Sequence, residues 1–151
     1  MRSNLILKEL KKAVAVVSPR AVVILPNEPA TEEINSSELF FEISVSGQDY
    51  HVETEVSTSS SAIASIVIVG NRNVGAGRLD DIAEKFVNMF SPIDPMGRVF
   101  SRSLFVDESD KVSYLYITNV ERSEAGIYDG KYKLTIFISL EIYEDRKYVG
   151  Y

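Results

Sequence analysis

Lys131-Tyr132-Lys133-Leu134-Thr135-Ile136-Phe137-Ile138-Ser139-Leu140-Glu141-Ile142-Tyr143 is the stretch that decides the fold. Tyr132, Leu134, Ile136, Ile138, Leu140 and Ile142 occupy alternate positions, with Lys133, Thr135, Phe137, Ser139, Glu141 and Tyr143 between them. Successive side chains of a strand point to opposite faces, so a period of two predicts a long strand with one apolar face. The second face still carries Phe137 and Tyr143. An aromatic pair in such places packs on cross-strand neighbours or is covered by another subunit.

Upstream of this strand, the pattern predicts strands over Arg98–Ser101, Ser103–Val106 and Val112–Val120. Leu79, Ile82, Ala83, Phe86, Val87 and Phe90 recur at three and four residues and predict an amphipathic helix. Asp80 and Asp81 fall in its expected first turn, and Ser91-Pro92 stops it. Gly70 to Gly77 reads as a loop. Ala62–Val69, rich in Ile and Val, reads as a buried strand or a short helical segment, after a low-complexity serine run, Ser57–Ser61. Tyr50, Val52, Thr54 and Val56 alternate with His51, Glu53 and Glu55; Leu39, Phe41, Ile43 and Val45 alternate with Glu38, Phe40, Glu42 and Ser44. With Gly47-Gln48-Asp49 as the turn between them, the two runs predict a hairpin with an acidic outer face. Two prolines within Pro26–Glu33 predict an extended loop, and Ala21–Leu25 a short strand. Leu5, Ile6, Leu10, Ala13, Val14 and Val17 predict a first helix, with Ser3 as its cap and Ser18-Pro19 as its end. The expected class is therefore α+β: a mostly antiparallel sheet with two helices packed on one face. One domain over residues 1–151 is expected, with a core at about 4–144 and a short C-terminal tail, 145–151.

Composition narrows the chemistry. A chain of 151 residues with 45% apolar side chains can bury a sizeable core without staples. With no cysteine, disulfides, Cys-based zinc sites, iron–sulfur clusters and thiol catalysis are excluded. A net charge of −6 with scattered Lys and Arg offers no basic footprint for DNA or anionic lipid. No apolar run approaches the length of a membrane span, and the N-terminal Leu5-Ile6-Leu7 is too short for a secretory h-region, so no membrane partner is expected.

Candidate sites for chemistry are weak. Gly75-Ala76-Gly77 before a helix invites a phosphate-loop reading, yet no Lys-Ser/Thr follows it and Asp80 stands where a third glycine would be needed. His51 is the only histidine; Glu53 could orient it, but no nucleophile context accompanies the pair. Asp107-Glu108-Ser109-Asp110 lacks calcium-loop spacing, and the Glu42, Glu53 and Glu55 stripe comes without the stacking aromatics of a sugar cleft. The sequence implies no cofactor, no metal and no catalytic residue.

The order of elements resembles a known family. A short N-terminal helix leads to a Pro-containing extended segment (Val22–Pro29), a hairpin with a mobile tip (Phe40–Val56), a strand, a Gly-containing loop and a helix ending in an aromatic and Ser-Pro (Ala62–Pro92). The strand Tyr132-Lys133-Leu134-Thr135-Ile136-Phe137-Ile138 closes the pattern. Together these resemble the tail terminators of long-tailed phages and, more loosely, related tail-completion and head–tail joining proteins. The resemblance implies a structural subunit of the virion tail or neck, assembled in the host cytoplasm. It implies a homohexameric ring that caps the tail tube protein, stops its polymerisation and meets the head–tail connector, while DNA passes through without specific binding. Contacts are then expected from Gln48, His51, Glu53 and Glu55 in the arm, Arg72 and Arg78 around the loop, and Asp107 and Asp110 in the acidic turn. Phe137 and Tyr143 on the last strand and Arg146 and Tyr151 in the tail complete the set. The alternatives are another neck or connector protein, a non-viral α+β binding module, and an enzyme using His51.

Overall fold

The computed structural model of the chain describes residues 2–26, 28, 38–52, 57–99, 102–103 and 113–145. Among the described residues two helices, α1 (Arg2–Val17) and α2 (Ala76–Phe90), accompany seven strands. These are β1 (Val22–Ile24), β2 (Leu39–Val52), β3 (Ser57–Asn71), β4 (Arg102–Ser103), β5 (Ser113–Arg122), β6 (Gly126–Tyr128) and β7 (Lys131–Asp145). Six strands follow the order β1-β2-β3-β7-β5-β4, and β6 pairs with β7 beyond the end of β5. Among the described strands only β1 runs parallel to its neighbour. The expected α+β class is what the chain adopts. Among the described residues no helix is long and apolar enough to cross a membrane.

The centre of the sheet is the β3–β7 ladder, which runs unbroken from Ser57↔Asp145 to Asn71↔Lys131. The alternation on both strands sorts their faces. Ala62, Ala64, Ile66 and Ile68 of β3 and Leu134, Ile136, Ile138, Leu140 and Ile142 of β7 are buried on one side. Both helices cover that side. From α1 come Ile6, Leu10, Ala13 and Val14; from α2 come Leu79, Ile82, Ala83, Phe86 and Phe90. Phe86 meets the edge of Phe41 at 6.0 Å and stacks on Phe90 at 6.2 Å, so aromatic packing as well as area fastens α2. Arg122, half-buried at the end of β5, binds Asp80 and Glu84 of α2 and ties the helix to the sheet from outside the core.

Several expectations are corrected. Gly47-Gln48-Asp49 does not turn the chain. The ladder steps from Ser46↔Ile63 to Asp49↔Ser61, so one extra residue is accommodated as a bulge, with Gly47 at φ +67°. Residues 49–52 thus continue β2 rather than starting a return strand, and Glu53 and Glu55 lie outside the described residues. The return strand is β3, which contains the whole serine run; Ala62–Val69 is strand, not helix. Small side chains suit a central strand under a helix layer, and Ser60 is buried there. α1 begins at Arg2, so Ser3 lies inside its first turn instead of capping it. α2 begins at Ala76 with Gly75 as its cap residue, which moves Asp80 and Asp81 out of the first turn; Asp80 serves the Arg122 pair instead.

The strand expected at Arg98–Ser101 is absent over its described part, where Ile93 and Val99 form only an isolated bridge. Asp94 organises this segment. Its carboxylate accepts from the backbone N–H of Met96 and of Arg98 and pairs with the Arg98 guanidinium at 2.7 Å. The Gly97 N–H closes the turn on the Asp94 carbonyl. β6 was not expected; it folds onto β7 through a two-residue turn, Asp129-Gly130, both at positive φ. The Pro26–Glu33 loop and the strand at Ser103–Val106 fall largely outside the described residues.

Candidate functional site: the second face of the sheet

Among the described residues no helix packs on the second face of the sheet. At its β1 end a small cluster forms from Ile24, Phe40 and Val69, with the Lys131 ammonium 5.0 Å from the Phe40 ring centre. Further along, register sets the rows: Ser44 opposite Ser65, Ser65 opposite Phe137, and Phe137 opposite Glu121. The Ser44 and Ser65 hydroxyls bond each other at 2.6 Å, which satisfies both without covering the neighbouring ring. Ile63 and Phe137 each stay 43% exposed and Tyr143 38%. These are large apolar groups on a flat face, the feature that marks contact surfaces more than scattered exposure does.

At the β7 end, the Tyr143 and Tyr116 rings meet edge to face at 5.8 Å, and the Tyr143 hydroxyl donates to Glu141 at 2.8 Å. Pro92 and Val99 rise beside them, making a groove of about 560 Å³ lined also by Ile117 and Thr118. Its outer wall is the Asp94-braced loop, which holds Met96 80% and Val99 78% exposed. A loop pinned by this many hydrogen bonds presents its apolar side chains in a fixed arrangement, so little order has to be gained on contact.

Of the residues expected to make contacts, Phe137 and Tyr143 fall on this face. Arg72, in the turn after β3, and Arg78, in the first turn of α2, are both exposed at the opposite end of the β3–β7 ladder. A strand rises about 3.3 Å per residue, so roughly 40 Å separates them from the Tyr143 end. The structure therefore does not bring the expected residues into one patch. Gln48 and His51 belong to β2, Gln48 at the bulge and His51 opposite Ser59; their side chains lie outside the described residues. So do Glu53, Glu55, Asp107, Asp110, Arg146 and Tyr151. Among the described residues no group of three His, Asp or Glu side chains gathers as a metal site would require. Sequence reading missed Ile63, Tyr116 and the Pro92–Val99 loop. The last was signalled by Asp94-Pro95-Met96-Gly97, which has Asp, Pro and Gly where a type I turn favours them.

No family model matches the chain, and no curated protein matches it in sequence. Solved structures do match. One, whose name describes no function, is 10% identical and aligns with a TM-score of 0.60 over 92% of this chain and 91% of its own. At that identity the likeness shows the fold alone. The fold defines an α+β protein whose two described helices cover one side of its sheet.

Proposed function

We propose that this chain is a structural virion subunit of the tail-terminator type. Copies close into a six-membered ring that seats on the end of a phage tail tube, halts tube growth and meets the head–tail connector. The reading is non-catalytic. The observation that carries it is the second sheet face, where Ile63, Phe137 and Tyr143 stand exposed among the described residues, with a braced apolar loop at the Tyr143 end. A chain that buries one face so completely and leaves aromatic groups on the other has a surface suited to protein contact. Exposed groups at both ends of the long ladder fit a subunit with two different contact regions. A head-to-tail ring requires two such regions, because each interface joins unlike surfaces.

The reading also gives the acidic arm a role: Glu53 and Glu55 repel the DNA backbone and keep the channel free of sticking. Replacing both with Lys should slow DNA passage through tubes carrying the ring; unchanged passage removes that role.

The deciding experiment is native mass at high concentration, with and without magnesium, followed by negative-stain imaging and mixing with purified tail tubes. A ring near six times 16.9 kDa, or a monomer that closes on tube ends, supports the proposal. A chain that does neither refutes it, and capture of the connector alone would place the subunit elsewhere in the neck.

A further inference from the structure

We infer that the free subunit, before it meets a tube, covers its second sheet face with the same face of a second copy, the two sheets stacked with their strands antiparallel. The inference rests on reading this face as a contact surface, and it adds a regulated step, since ring closure must first part the pair. The pattern of the face selects the occupant. Phe137 and Ser65 sit opposite each other at its middle. On β3, Ile63 and Val67 flank Ser65 at equal spacing and on the same face. On β7, Lys133 and Glu141 flank Phe137 at equal spacing, again on that face. A two-fold axis running across the strands through Phe137 therefore sets each Ile63 on the Val67 of the second copy and each Lys133 on its Glu141. Stacking with the strands parallel would instead set Lys133 on Lys133 and Glu141 on Glu141, which like-charge repulsion opposes. Among the described residues Lys133 has no carboxylate partner in its own chain, and Glu141 takes the neutral Tyr143 hydroxyl.

Size and shape agree with this pairing. Lys131 to Tyr143 of β7 span about 40 Å, and β2, β3, β7 and β5 side by side about 20 Å. The face is thus roughly 800 Å² per copy, what a standard interface buries on each side. Stacked sheets keep their strands within about 30° at a spacing of about 10 Å, a gap that Lys and Glu side chains reaching from both sides can close. The corners match as well. The Asp94-braced loop stands on the β5 side of the Tyr143 end. The same axis carries it to the β6 corner of the second copy, where Tyr128, opposite Lys131 on this face, is 60% exposed. Glu121 is a cost: it lies opposite Phe137 on β5 and meets its own copy at the axis. It is exposed there and accepts from the Asn119 amide at 2.9 Å, so water and amide screen the repulsion. Such a contact is isologous, with one surface used twice, and it withholds the face until a tube end offers a stronger partner.

The test is sedimentation equilibrium of the full chain over a wide concentration range, without tubes. A dimer of twice 16.9 kDa is expected. Lys133→Glu and Glu141→Lys should each weaken it roughly tenfold, since each sets like charges together at two places. The variant carrying both changes restores opposite charges and should return to within about threefold of the wild type. Lys85→Glu, the same change of net charge on an exposed position of α2, should leave the dimer as it is. Glu121→Gln removes the repulsion at the axis and should tighten it. A wild type that stays monomeric, single variants that dimerise as well as the wild type, or a double variant no better than the singles overturns the inference. Adding purified tail tubes separates this from the parent reading. Rings on tubes from a protein that never dimerises discard the pairing and leave the ring standing, while dimers that yield no ring on tubes discard the ring and leave the pairing.

Discussion

Replacing Glu9 with methionine should make this protein more stable. Glu9 lies on α1 with no exposed surface, among positions that otherwise carry Ile6, Leu10, Ala13 and Val14. One oxygen takes the Lys12 ammonium at 3.2 Å; the other, Oε2, is buried with no hydrogen-bond partner among the described residues. The Lys12 side chain is 46% exposed, and a pair so open to water contributes at most about 1 kcal/mol. Burying a polar atom unpaired costs about 1–3 kcal/mol. The carboxylate is therefore a net burden, since a half-screened ion pair does not offset its desolvation. Methionine has a similar length and helix propensity and fills irregular apolar space. Glu9→Met should raise stability by about 1–2 kcal/mol, a melting-point gain of about 2–8 °C in a chain of this size. Urea unfolding followed by circular dichroism at low protein concentration measures it. Glu9→Gln, which removes the charge but keeps two polar atoms in place, should stay within about 1 kcal/mol of the wild type. A loss of 1 kcal/mol or more in Glu9→Met would refute the reasoning, because the carboxylate would then hold something stronger than Lys12.

Three further outcomes follow from the packing. Phe86→Ala removes the ring that touches both Phe41 and Phe90 and should cost about 3–5 kcal/mol in the same urea experiment. Arg122→Ala releases α2 from the end of β5; with its carboxylate partners about half exposed, the cost should be about 1 kcal/mol and should shrink in 1 M salt. Gly130→Ala strains a turn position held at φ +77° and should cost about 1 kcal/mol, read as a lower melting temperature with unchanged secondary structure.

The long elements were legible because their periods are unambiguous. β7 alternates over its whole length, and α2 repeats Leu79, Ile82, Ala83, Phe86 and Phe90 on one side. What escaped was pairing. Gly47 was read as a turn because the residue that permits a positive φ in a turn also permits it in a bulge, and only the partner strand tells the two apart. The serines of β3 read only as a low-complexity run, because polarity was weighed without their neighbours; the ladder places them between β2 and β7. The Asp129-Gly130 and Asp94-Pro95-Met96-Gly97 turns carried their own signals and went unread. The same division holds for the site. Phe137 and Tyr143 came from alternation alone. Tyr116 could not, since its place beside Glu141 depends on a one-residue bulge between Ile117 and Asn119 that shifts the register of β5.

The β3–β7 ladder has a consequence for how the chain is made. Its pairs lie from 60 positions apart, at Asn71↔Lys131, to 88 apart, at Ser57↔Asp145. The central strand of the sheet is thus synthesised long before its principal partner leaves the ribosome. Contacts so distant in sequence slow folding, since a long loop must close before any reward arrives. During that interval the Ile- and Val-rich edge of β3 is open to pairing with other nascent chains. Fast translation at high temperature should therefore drive this protein into aggregates, and slower synthesis in the cold, or added chaperone, should recover it.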